Sequence, residues 1–82
     1  MSLANIVAQN LFAARTHKNM SQAALAKKTK VSVSYVSMLE RGLRTPPLHT
    51  LEVLAKALTV QPLDLLREHT SKPPRRGRRE RA

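Results

Sequence analysis

Cysteine is absent from the 82-residue chain, so it forms no disulfide and offers no thiolate to a metal. That fits a reducing compartment. Glycine occurs only twice, too seldom for a phosphate-cradling loop. The three histidines, His17, His49 and His69, are scattered without metal-ligand spacing. No nucleophile–base pair or carboxylate pair stands out. An enzyme is therefore excluded from the reading, and neither a cofactor nor a metal is expected. No apolar run approaches the length of a membrane span. The opening "MSLANIVAQNLFAAR" lacks the basic start of a secretory signal. A cytoplasmic protein with no membrane partner is expected. β-Branched residues are few and never alternate over a run, so no strand is expected either.

Acidic residues are scarce as well. Fifteen lysines and arginines stand against five acids, a net charge of +10. Nine bases and four acids lie in residues 1–71, and six bases and one acid in 72–82, so each part carries +5. A basic domain followed by a basic tail suits a polyanionic partner, nucleic acid ahead of an anionic membrane. The length suits one small domain with a thin stability margin.

Helical spacing organises what is present. Leu3, Val7, Leu11 and Ala14 make one buried stripe over residues 3–17. Ser21 is a good N-cap for a second, short helix with Ala23, Leu25 and Ala26 as its apolar positions. Ser32 caps a third over 32–40, in which Val36 and Leu39 face inward, and Gly42 is its natural stop. After the proline-bearing loop "LRTPP", Leu48, Leu51, Leu54, Ala55 and Leu58 mark a fourth helix. Pro62 suits the first turn of a fifth, roughly 62–69, and Leu63, Leu65 and Leu66 give it more apolar surface than a small core needs. The fold class is all-α: a compact five-helix domain over residues 1–70, followed by a disordered basic tail over 71–82. That tail, "SKPPRRGRRERA", has nothing to bury.

Two helices of eight or nine residues cannot stand alone and need their neighbours to cover their apolar sides. With Val36 and Leu39 inside, a step of about 100° per residue leaves Val33, Ser34, Ser37 and Met38 on the outer side of the third helix. That side is small and free of acid, a shape suited to a groove about 12 Å wide.

The stretch "SQAALAKKTKVSVSYVSMLERGLRTPPLHTLEVLAKAL" resembles the lambda-repressor/Cro-like (XRE-type) helix-turn-helix family. The resemblance rests on Ser21-Gln22, Leu25-Ala26, Val31-Ser32, Tyr35-Val36, Leu39-Glu40-Arg41-Gly42, Pro46, Thr50-Leu51, Leu54-Ala55 and Leu58, and it covers about residues 3–69. It implies a lambda-repressor-like DNA-binding domain with double-stranded DNA as partner. It also implies a transcriptional regulator, of repressor type, from a prokaryote or phage. Carried over position by position, Gln22 falls where the family anchors a phosphate, and Ser32 where capping and phosphate contact coincide. Val33, Ser34, Ser37 and Met38 fall where side chains face base edges, and Arg41 and Arg44 near the adjacent phosphates. Arg15 and Glu40 match a pair that ties the first helix to the end of the third.

Other readings stay open at several of these positions. Gln22 is also an ordinary early-helix residue, and Arg15–Glu40 a surface pair of little worth. Met38 also suits gap filling in the core, Tyr35 suits packing between helices, and Lys27, Lys28 and Lys30 suit a solvated face. Three positions depart from the family. Lys30 stands where glycine is frequent because the turn favours a left-handed backbone; lysine there costs about 1 kcal/mol, offset by phosphate attraction. Thr59 replaces a frequent glycine or asparagine, and Phe12 a polar or basic residue.

A face of valine, serine and methionine lacks the arginine, asparagine and glutamine contacts that discriminate bases strongly. Modest direct readout biased to thymine-containing steps is expected, with much of the affinity from phosphates. In the tail, Pro74 followed by Arg76-Gly77-Arg78 resembles an AT-hook, whose arginines enter a narrow A·T minor groove. Arg79 stands where its second proline belongs, and a non-specific arm is the equal alternative. Leu63, Leu65 and Leu66 either finish the monomer core or form the surface of a two-fold homodimer with recognition helices one turn of DNA apart. A second use of such a fold is to hold a protein partner, as an antitoxin does, with the tail on an acidic surface.

Overall fold

The computed structural model describes residues 2–68; the tail expected over 71–82, with Arg76 and Arg78, lies outside the described residues. The described part consists of five helices and no strand: α1 (Leu3–His17), α2 (Gln22–Thr29), α3 (Val33–Glu40), α4 (Leu48–Leu58) and α5 (Pro62–Leu66). The first three start on one device. Ser2, Ser21 and Ser32 each accept, on the hydroxyl oxygen, the N–H three residues ahead: Asn5 at 3.1 Å, Ala24 at 2.9 Å and Tyr35 at 3.0 Å. Each serine thereby satisfies a donor that the first turn leaves without a partner. The last two helices start beside prolines instead, Pro47 ahead of α4 and Pro62 at the head of α5.

Four helix ends also share one form. Asn19, Lys30, Gly42 and Thr59 lie in the left-handed region, with φ of 57°, 63°, 75° and 61°. At each, the N–H of that residue bonds the carbonyl three back, and the next N–H reaches five back. The second bonds are Met20 to Arg15, Val31 to Ala26, Leu43 to Met38 and Val60 to Ala55. This is the Schellman closure, and the residue after the left-handed one usually packs inward. Met20, Val31 and Val60 do so, whereas Leu43 is exposed. Only Gly42 avoids the Cβ cost of the conformation.

The principal packing runs in a ring. α1 lies on α3 and α5, α2 on α3 and α4, and α4 on α5. Each helix sends at least one fully buried aliphatic side chain to the centre: Val7 and Leu11, Leu25, Val36 and Leu39, Leu54 and Leu58, and Leu65. Each contributes roughly 1.5–3 kcal/mol of burial.

Several expected core positions fall outside this ring. Leu3 and Leu48, 52% and 77% exposed, sit at the first positions of their helices, beyond the edge of the core. Ala23 is exposed because α2 turns Leu25, Ala26 and Thr29 inward, leaving Ala23 about a third of a turn from the centre of that face. α5 ends at Leu66 rather than near 69, since Arg67 is extended. Leu65 is buried and Leu66 packs against the core, so of the three leucines only Leu63 remains as free surface.

Candidate nucleic-acid interface

α2, the left-handed turn at Lys30 and α3 form a hairpin of helices whose inner sides are closed by Leu25, Ala26, Val36 and Leu39. Val33 and Ser34 are exposed on its outer side, and Ser37 and Met38 are half-buried. Met38 is not among the half-buried apolar residues packed against the core, whereas Tyr35 is. At eight residues, α3 is about 12 Å long. Ser32 uses its oxygen to cap α3, which leaves the hydroxyl hydrogen for an acceptor outside.

A buried polar clamp fixes this hairpin on α1. Arg15 Nε donates to Glu40 Oε2 at 2.5 Å and Nη2 to Oε1 at 3.0 Å, a bidentate pair with side chains 11% and 4% exposed. Arg15 Nη1 donates to the Met20 carbonyl at 2.7 Å, and Gln22 Nε2 donates to Glu40 Oε1 at 3.0 Å. One guanidinium thus holds the α1–α2 link, and through Glu40 it holds α3 and the first residue of α2. The hydrogen bond to Glu40, with its charge, holds the Arg15 guanidinium above its ordinary pKa against the opposing effect of burial. The Phe12 ring, one turn back on α1, has its centroid 5.4 Å from the guanidinium carbon. This half-exposed aromatic shields the cation by a cation–π contact.

The clamp also decides the charge of the face. Glu40 is the only acid between residues 21 and 51, and it is buried against Arg15. Among the described residues the ion pairs are Arg15–Glu40 and Arg67–Asp64. Lys27, Lys28, Lys30, Arg41 and Arg44 are all exposed and unpaired around the hairpin. Sequence reading placed Gln22 at a phosphate but did not foresee its bond to Glu40. A carboxylate orients a side-chain amide with its NH₂ inward, leaving one Nε2 hydrogen to spare.

Sequence reading also missed Asn10. Its Nδ2 faces the carbonyls of Asp64, Leu65 and Arg67 at 3.2, 2.9 and 2.8 Å. That amide satisfies the end of α5, which is too short to be stable alone.

A bundle of this kind, with a capped second helix, a tight turn and an acid-free third helix, is a helix-turn-helix domain. A family model described as helix-turn-helix matches residues 11–65. The chain belongs to that family, in its lambda-repressor/Cro-like branch, a family of DNA-binding regulators rather than enzymes. It is 48% identical over 48 residues to the control protein C.BamHI of Bacillus amyloliquefaciens, covering 58% of this chain and 59% of that protein. It is 38% identical over 64 residues to the immunity repressor protein of Bacillus phage phi105, covering 78% of this chain and 44% of that protein. The chain therefore spans under two thirds of the length of both relatives. A solved hypothetical transcription factor from Neisseria, NHTF, superposes with a TM-score of 0.79 at 33% identity, covering 82% of this chain and 77% of that one. The restriction-modification controller C.Esp1396I, solved as a tetramer with its natural 35 base-pair operator, superposes with a TM-score of 0.71 at 29% identity, covering 79% and 86%.

Proposed function

We propose that the chain is an operator-binding transcriptional regulator that lays α3 in the major groove of double-stranded DNA, one helix from each protomer of a two-fold dimer. The observation that carries this reading is the burial of Glu40: the clamp removes the only acid from the α2–α3 face and leaves five cations around it that have no carboxylate partner among the described residues. Val33, Ser34, Ser37 and Met38 then meet base edges, with apolar contact to thymine methyls. Lys30, Ser32, Arg41 and Arg44 meet phosphates, as do the spare Gln22 hydrogen and the first-turn N–H groups of α2. The operator complex of C.Esp1396I supports the same use of the fold here. On α5, Leu63 is the exposed leucine available to a partner protomer.

Random-site selection on duplex DNA, followed by anisotropy titration at several salt concentrations, tests this. We expect an enriched near-palindrome with half-sites one helical turn apart. If each protomer neutralises about five phosphates, log affinity falls against log salt with a slope of about −4.5. A slope near zero, or no enriched site, overturns the reading.

A further inference from the structure

Between α1, the C-terminal end of α4 and α5, a groove of about 710 Å³ opens to solvent, within the range of small-ligand sites. It shares no residue with the proposed DNA face. Its middle is apolar, formed by Ala13 and Ala14 of α1 against Leu58 and Val60. Its two ends are polar and chemically different. Lys18 stands at one end and Asn10 at the other, eight residues apart on or just past α1, which separates them by about 12 Å.

At the first end, Lys18 Nζ donates to Thr59 Oγ1 at 3.1 Å. Among the described residues no carboxylate pairs with it, so two ammonium hydrogens and the charge are uncommitted. At the second end, Asn10 is 9% exposed. Three carbonyls crowd its Nδ2, which rules out the flipped amide and sends Oδ1 to the opposite edge. Among the described residues no donor reaches Oδ1, so the acceptor of this groove-lining residue is left for a donor from outside the protein. Asp64, also at this end, is engaged by the Gln61 N–H and by Arg67, and its charge repels a second anion there.

We propose that this groove binds a medium-chain aliphatic carboxylate with a hydroxyl at its far end. The carboxylate sits on Lys18 Nζ, the chain lies along the alanine–leucine–valine floor, and the hydroxyl donates to Asn10 Oδ1. Charge complementarity sets the direction, because the cation and the acid stand at opposite ends.

The test is an amide chemical-shift titration of the full-length, isotope-labelled chain with ω-hydroxyoctanoate, octanoate and octylamine. We expect saturable shifts at Ala13, Ala14, Thr59 and Val60 with a Kd of about 1 mM for ω-hydroxyoctanoate, the scale set by its few heavy atoms. Octanoate binds several-fold more weakly and octylamine does not saturate. Lys18→Glu weakens binding at least about tenfold, as loss of one charge-assisted hydrogen bond requires. Ala13→Leu, at another exposed position, blocks the floor. Equal binding of octylamine, no gain from the hydroxyl, or shifts spread outside the groove overturns the proposal. Groove amides that shift on dilution of the protein alone also overturn it, by giving the groove to a second copy of the chain.

Discussion

Two side chains on the inner face of α1, Asn10 and Arg15, are equally buried at 9% exposure, yet they hold the two halves of the molecule by different chemistry. Arg15 holds the α2–α3 hairpin through a charged clamp on Glu40, Gln22 and the Met20 carbonyl. Asn10 holds α5 through a neutral amide on three carbonyls. A charged clamp tolerates the loss of both partners better than the loss of one, because a lone buried charge is the expensive state. A neutral clamp fails more gently and locally. The half proposed to meet DNA is therefore held by an all-or-none device, and the other half is pinned by hydrogen bonds.

Breaking the charged clamp gives the largest effect. Arg15→Met strands Glu40 and lowers unfolding free energy by about 3–5 kcal/mol in urea titration. Adding Glu40→Leu restores most of that stability but not DNA affinity, since Gln22 is left without its partner. Full recovery of both would show that the clamp only stabilises. The sign of its pH dependence follows from Arg15. A basic group whose folded pKa is raised contributes fully below its unfolded pKa and loses that contribution only as pH rises through the folded one. For a guanidinium this window lies above about pH 12, so Arg15 adds no slope to stability from acid to mildly alkaline pH.

Breaking the neutral clamp comes second. Asn10→Ala leaves the carbonyls at the end of α5 without a donor and costs about 1–3 kcal/mol. Hydrogen exchange should accelerate first at the amides of α5 and leave those of α2 and α3 near their wild-type values. Uniform acceleration would mean that the two halves are not separately pinned.

The smallest effects concern the left-handed turns, one in each half. Thr59 is β-branched, the side-chain type least suited to positive φ, so Thr59→Gly raises stability by about 1 kcal/mol in the same titration. Lys30→Gly raises it by a similar amount. Because one phosphate then goes without a neutralising cation, it also makes the salt slope shallower by about 0.9. An unchanged slope would leave Lys30 with no part in binding and its strain unexplained.

The parts of the fold that are legible in the sequence are those written locally. Ser21, Ser32 and Gly42 mark helix ends with their own side chains or their lack of one, and the buried face of α3 follows from the spacing of Val36 and Leu39. No periodicity pairs the residues of the polar clamps: Arg15 with Glu40, 25 positions apart, is legible only through the family resemblance, and Asn10 with Arg67, 57 positions apart, is not legible at all. The stop of α5 comes earlier than its spacing suggests because the group that ends it belongs to α1. Leu3 and Leu48 keep the helical period but sit where the ring has no neighbour to cover them, which a pattern within one helix cannot reveal.

The ring of helices has a consequence for how the chain is made. Only two of its joints, α2 with α3 and α4 with α5, connect elements adjacent along the chain; the other three wait for distant partners. A nascent chain emerging from the ribosome can therefore hold helical pairs but no closed core until α5 has cleared the exit tunnel. A fragment cut anywhere inside the ring should behave as an open, sticky intermediate rather than a smaller domain.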